Sequence, residues 1–340
     1  PTGLIADKIG RKKSVMIALF LQLIGEMAFI FAQNYFQFIL ISIIAGIGFA
    51  FQSGCIQALV YDSLKEDGKE DEMKKATGIT GAFFQSGHIL GALASSLIVA
   101  NLAPTKITLA IILTAFSVFV AFLISFLIKE PEIEYTHQEE SPIKILTESI
   151  RLIKNNKSLR RIVWLGVFTT PFAGYLRNFH PPYFELASIP SVWLGLSLGL
   201  GGIVAVIASK YAYKFEEVFG VKRGMFLATL FPGLIYFMMA WIINPIFSGL
   251  LFVINFGSMS LQGPLFADYY NRHIRSEIRA TALSTINMIS SIYITLIGLV
   301  IGWIADIKLI WAYSFMGVVI IAGSMIFRIN KKHLVKVEEK

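Results

Sequence analysis

The 340-residue chain is 55% apolar and 15% charged, with a net charge of +8 and a single cysteine. Soluble proteins carry about 25% charged residues, so this composition excludes an ordinary soluble enzyme, and one thiol excludes an intrachain disulfide. The apolar residues instead collect into ten stretches, near residues 14–32, 36–61, 77–100, 106–128, 161–183, 191–212, 224–243, 246–267, 280–304 and 309–327. These lengths match the roughly 20 residues with which a helix crosses a ~30 Å hydrocarbon core. Helices are expected because lipid leaves backbone amides without partners, and a barrel would show shorter alternating segments.

In chain order, a basic turn comes first, with Gly3, Ala6, Asp7, Gly10, Arg11 and Lys12 spaced as G-x-x-A-D-x-x-G-R-K. It opens onto the first stretch, where Gln22 and Glu26 lie one turn apart. A carboxylate at membrane depth can bind and release a proton, or it can serve packing between helices. The second stretch carries Gln52 and ends in Ala58-Leu59-Val60-Tyr61-Asp62-Ser63-Leu64. In the third, Gly81, Gln85, His88 and Ser95 share a face, and His88 lies ~17 Å deep at ~1.5 Å per residue. That stripe suits a substrate or proton site, since histidine titrates near neutral pH. It also suits a histidine satisfied by Gln85 or by a neighbouring helix.

The longest polar segment, Lys129 to Arg160, separates four stretches from six. Its first part, 130–140, is acidic and irregular. Its second reads as an interfacial helix: Ser141 caps it, Pro142 suits the first turn, and Ile143, Leu146, Ile150 and Ile153 share a face, with Lys144, Arg151, Lys154 and Lys157 for lipid headgroups. The expected division is 1–128, a linker over 129–160, 161–327, and a tail over 328–340.

Beyond the linker, Arg177 lies ~24 Å along its helix, on a face with Thr170, Gly174 and Pro181. It can attract an anionic substrate, pair with an acid, or snorkel to the surface. Ser248, Asn255, Ser258 and Gln262 form one stripe, and Ser284, Asn287, Ser291, Gly298 and Gly302 another. Small residues suit close helix packing, whereas Asn255, Gln262 and Asn287, with Gln52 and Gln85, suit the lining of a wet cavity. Pro171, Pro181, Pro182 and Gly263-Pro264 mark places where helices bend.

Counting sides from a cytoplasmic first turn puts 27 of the 30 lysines and arginines inside, with Lys106 and Lys308 outside and Arg177 within a stretch. That asymmetry follows the positive-inside rule, and it places both ends of this chain in the cytoplasm. The positive charge then reflects loops beside an anionic bilayer, not nucleic-acid binding. There is no phosphate loop, metal-ligand spacing or coherent catalytic triad, so no cofactor, metal or enzymatic activity is expected.

The opening turn resembles the signature loop between the second and third helices of major facilitator superfamily transporters. The segment Ala58 to Leu64, and Asn271 with Arg279-Ala280-Thr281-Ala282-Leu283-Ser284, resemble one branch of that family. A second copy of the opening motif, Ser209 to Arg223, keeps Gly220, Lys222 and Arg223 but lacks the aspartate. The family's antiporter signature keeps Gly87 and Gly91 but has Ala92 in place of its proline. The resemblance implies an all-α membrane fold of two pseudo-symmetric halves rocking about a central site. Ten of twelve helices would be present, the first and most of the second preceding this chain; a ten-span protein is the alternative. It implies that Asp7 and Arg11, and Asp62 by position, form an inner latch, unless these charges only fix loop geometry. It further implies a monomeric secondary active transporter in the cell membrane, with a small-molecule substrate and a proton or other coupling ion. Proton-coupled efflux is the leading reading. Uptake or uniport of a sugar-like or anionic metabolite is the alternative, and a non-transporting receptor or scaffold is a third.

Overall fold

The computed structural model describes residues 9–52, 55–69, 72–99, 103–131, 147, 150–151, 153–274 and 279–329, where regular structure is helical and no strand occurs. The chain divides into two compact units, Pro1–Gln138 and Glu139–Lys340. Seven helical stretches among the described residues are long and apolar enough to cross a membrane: Tyr35–Gln52, Pro104–Ser125, Trp193–Lys210, Ala212–Trp241, Pro245–Tyr270, Ala282–Ile307 and Leu309–Ile326.

The first unit contains α1 (Arg11–Phe29), α2 (Tyr35–Gln52), α3 (Cys55–Glu66), α4 (Met73–Ile98) and α5 (Pro104–Ser125). Helix α1 packs against both α2 and α5. Its approach to α2 depends on Gly48, where a Cβ would lie 3.0 Å from the Ala18 carbonyl and 3.2 Å from Leu21 Cβ. On the α5 side, Phe20 packs against Phe122 with ring centres 5.8 Å apart. Helix α5 begins with Pro104 in its first turn, where a missing N–H costs no helical bond.

The second unit contains α6 (Lys157–Thr169), α7 (Phe172–Asn178), α8 (His180–Leu186), α9 (Trp193–Lys210) and α10 (Ala212–Trp241). It continues with α11 (Pro245–Ser260), α12 (Gln262–His273), α13 (Arg279–Ile307) and α14 (Leu309–Ile326). Asn156 caps α6, its side chain accepting from the Leu159 amide at 3.0 Å. The single helix expected over 161–183 is broken twice, at Thr170–Pro171 and at Phe179. Pro171, Pro181 and Pro182 each remove a backbone donor there. Buried tyrosines stitch the broken segment to its neighbours. Tyr236 donates to the Phe172 carbonyl at 2.7 Å, Tyr313 to the Phe179 carbonyl at 3.3 Å, and Tyr183 to the Met239 carbonyl at 3.0 Å.

Helices α10 and α14 touch along their backbones. A Cβ on Gly317 would sit 2.9 Å from the Gly233 carbonyl oxygen and 3.0 Å from the Phe237 nitrogen. Main-chain atoms cannot swing aside as a flexible side chain can. Gly317→Ala is therefore expected to cost about 2 kcal/mol of stability, seen as a lower thermal midpoint in detergent. Gly302 has open space around it, so Gly302→Ala should change stability by less than about 0.5 kcal/mol.

Candidate functional site

The basic turn that opens the chain builds a charged junction at the start of α1. Gly10, the N-cap, adopts φ 97° and ψ 153°, a conformation that L side chains resist. That backbone lets the Glu130 carboxylate approach so closely that a Cβ on Gly10 would lie 3.0–3.1 Å from its atoms. Glu130 Oε1 accepts from the Arg11 amide at 2.5 Å and Oε2 from the Lys12 amide at 2.7 Å. A carboxylate on two N–H groups of the first helical turn also meets the positive end of the helix dipole.

Side chains extend the junction. Arg11 Nε lies 3.4 Å from Asp62 Oδ2, with side-chain exposures of only 15% and 11%. Lys12 Nζ donates to the Phe126 carbonyl at 2.8 Å, just past the end of α5. Lys129 Nζ pairs with Glu66 Oε1 at 2.8 Å on the exposed rim. The start of α1, the end of α3 and the chain leaving α5 are thus tied by charged contacts. Asp7, the other carboxylate of the sequence motif, lies outside the described residues. Glu130 is the residue that sequence reasoning missed, since it read as the first of an irregular acidic run.

The remaining polar residues of the first unit are dispersed. Glu26 is half-buried on α1. One turn earlier, Gln22 donates to Gln52 Oε1 at 3.0 Å, so Gln52 pairs across the α1–α2 contact. His88 is exposed on α4, its ring edge-on to Phe84 at 4.6 Å. The side chain of Gln85 falls outside the described ones.

In the second unit, Arg177 on α7 and Asn287 on α13 are exposed. Asn255 and Gln262 are 0% and 1% exposed. Asn255 accepts from Ser258 at 3.4 Å and places its amide nitrogen 3.9 Å from Met239 Sδ. Gln262 donates to the Ala228 carbonyl at 3.1 Å. A histidine that the sequence did not single out is buried here. His180 stacks on Phe252 at 4.1 Å and meets Phe184 edge-on at 4.2 Å. Its Nε2 is 2.9 Å from Ser197 Oγ, whose own proton goes to the Leu194 carbonyl at 3.0 Å. Ser197 is therefore the acceptor, and the proton of the neutral imidazole sits on Nε2. Among the described residues, no group of three histidine, cysteine or carboxylate side chains is placed to hold a metal ion.

Residues 1–298 match the sequence profile of the Major Facilitator Superfamily. An uncharacterized MFS-type transporter of Bacillus subtilis (strain 168), YxaM, is 23% identical over 312 residues, covering 90% of this chain and 76% of that protein. The crystal structure of the nucleoside transporter NupG is similar with a TM-score of 0.75 at 16% identity, over 96% of this chain and 84% of that one. A single-residue variant of the E. coli fucose:proton symporter, FucP, is similar with a TM-score of 0.54 at 15% identity, over 97% and 87% of the two chains.

Proposed function

This chain belongs to the Major Facilitator Superfamily, and we propose that it is a secondary active transporter that exports a small organic molecule through the cell membrane in exchange for protons. Membership makes it a multi-pass membrane protein with a small-molecule substrate. Transport proceeds by alternating access in a monomer, with the basic turn on the cytoplasmic side.

The observation that carries this reading is the junction at α1. It holds a helix start on one carboxylate, beside an arginine–aspartate pair mostly withdrawn from water, and in this account it is the element that opens and closes during transport. Arg11 and Asp62 close it, Asp7 assists, and Glu130 fixes the turn. Glu26 and His88 are the proton carriers in this account, each being an ionisable residue within an apolar stretch of the sequence. The exposed guanidinium of Arg177 on α7 favours a second reading, uptake of an anionic metabolite.

Vesicles containing the protein and a pH-sensitive dye test the proposal. Amphipathic drugs, sugars and organic acids are offered under an imposed proton gradient. Substrate-dependent proton flux is expected, reduced about tenfold or more by Glu26→Gln or His88→Ala. Solute movement without proton flux would refute the coupling. A flux specific to organic acids and lost in Arg177→Ala would select the second reading, and ligand binding without any flux would refute transport.

A further inference from the structure

A proline inside a helix leaves the carbonyl four residues earlier without its amide donor. Among the described residues of the Glu139–Lys340 unit, one such proline adjoins another at a helix junction, and at each a side chain from another helix donates to the carbonyl four residues earlier. Pro232, inside α10, cannot serve Ala228; Gln262 Nε2, at the start of α12, donates to that carbonyl at 3.1 Å. Pro264, in the first turn of α12, cannot serve Ser260; Ser209 Oγ, near the end of α9, donates to that carbonyl at 3.0 Å.

The two replacements meet at one point in the chain. Ser260 ends α11 and Gln262 begins α12, and the intervening Leu261 amide takes a tighter path to the Ser258 carbonyl at 3.2 Å. Gln262 is almost wholly buried, and its Oε1 has no donor among the described residues. A buried acceptor left unserved is costly, and an apolar residue of similar size would avoid that cost. The amide is therefore present for its donor end.

We infer that Gln262 and Ser209 are positioning residues that join the proline-weakened helices α10 and α11–α12, with α9, into a single linked hinge. A helix that lacks one internal bond bends most easily at that site. Here the substitute bond belongs to a different helix, so bending α10 at Pro232 displaces α12 or strips Ala228 of its donor. Bending at Leu261 places the same demand on α9 through Ser209. The role of this hinge in moving solute rests on the transport reading above; the bonding pattern does not.

A substitution cycle separates the two. Pro232→Ala restores an amide for Ala228, so it should make Gln262 dispensable. On its own, Gln262→Leu is expected to lower the thermal midpoint and slow solute turnover about tenfold, with KM within about twofold. In the Pro232→Ala background, the same change should alter either quantity less than about twofold. Gln262→Met, which keeps the length of the side chain but has no hydrogen-bond donor, should behave like Gln262→Leu. Ser209→Ala with Pro264→Ala forms an independent second cycle if Gln262→Leu folds poorly. Defects of equal size with and without the proline in both cycles would overturn the inference. Coupled midpoints in a protein that moves no solute would uphold the bonding linkage and refute the transport reading alone.

Discussion

Glu130→Ala is expected to destabilise the first unit by about 2–3 kcal/mol. The Glu130 carboxylate serves the Arg11 and Lys12 amides at 2.5 and 2.7 Å. Charge-assisted bonds of this kind contribute about 1.5–3 kcal/mol each before allowance for exposure, and the anion also meets the helix dipole. The half-buried setting of Glu130 brings the total below the sum of two such bonds. Glu130→Gln keeps one acceptor oxygen but turns an NH2 group towards an N–H donor, so it should recover less than half of the loss. Gly10→Ala attacks the same contact from the other side, through its positive φ and a Cβ 3.0 Å from the carboxylate. Thermal unfolding measures the total. Amide exchange at Arg11 and Lys12 localises it, and unchanged protection there in Glu130→Ala would show the contact to be incidental.

Arg11→Ala is expected to slow transport about 10- to 100-fold, since ~1.4 kcal/mol corresponds to a factor of ten. Removing one partner of a buried pair costs about 3–5 kcal/mol, and partial exposure of this one lowers that to about 1.5–3. The effect falls on turnover more than on folding, because Glu130 holds the backbone of the turn independently of the Arg11 side chain. Arg11→Lys should restore only part of the rate, since an ammonium cannot reproduce the planar guanidinium fork. Initial rates in vesicles, at equal protein incorporation, measure it.

Much of this was legible in the chain, for identifiable reasons. Spanning helices announce themselves through unbroken hydropathy, and among the described residues seven of the stretches read that way are helical, long and apolar enough to cross a membrane. Pro171, Pro181 and Pro182 announced bends, but not that Tyr236 and Tyr313 would hold the fragments, because such partners are fixed only by packing. Glu130 lies 119 residues from Arg11, and no local period reports a contact over that distance. Gly10 signalled a special turn without revealing which group fills it. His180 carried no signal at all, as a lone histidine between Phe179 and Pro181 has no spacing to read. The i−4 rule could have found Ala228 and Ser260 from Pro232 and Pro264. It could not have named Gln262 and Ser209 as donors.

The most direct test of the account is a double-substitution cycle on transport itself. Initial solute flux would be measured in vesicles for the unaltered protein, Arg11→Gln, Asp62→Asn and the two combined. If the pair is the element that opens and closes, each single change slows flux about tenfold, and the combined protein is no slower than the worse single one. Losses that multiply, or unaltered flux in all four proteins, would contradict the junction's role in transport.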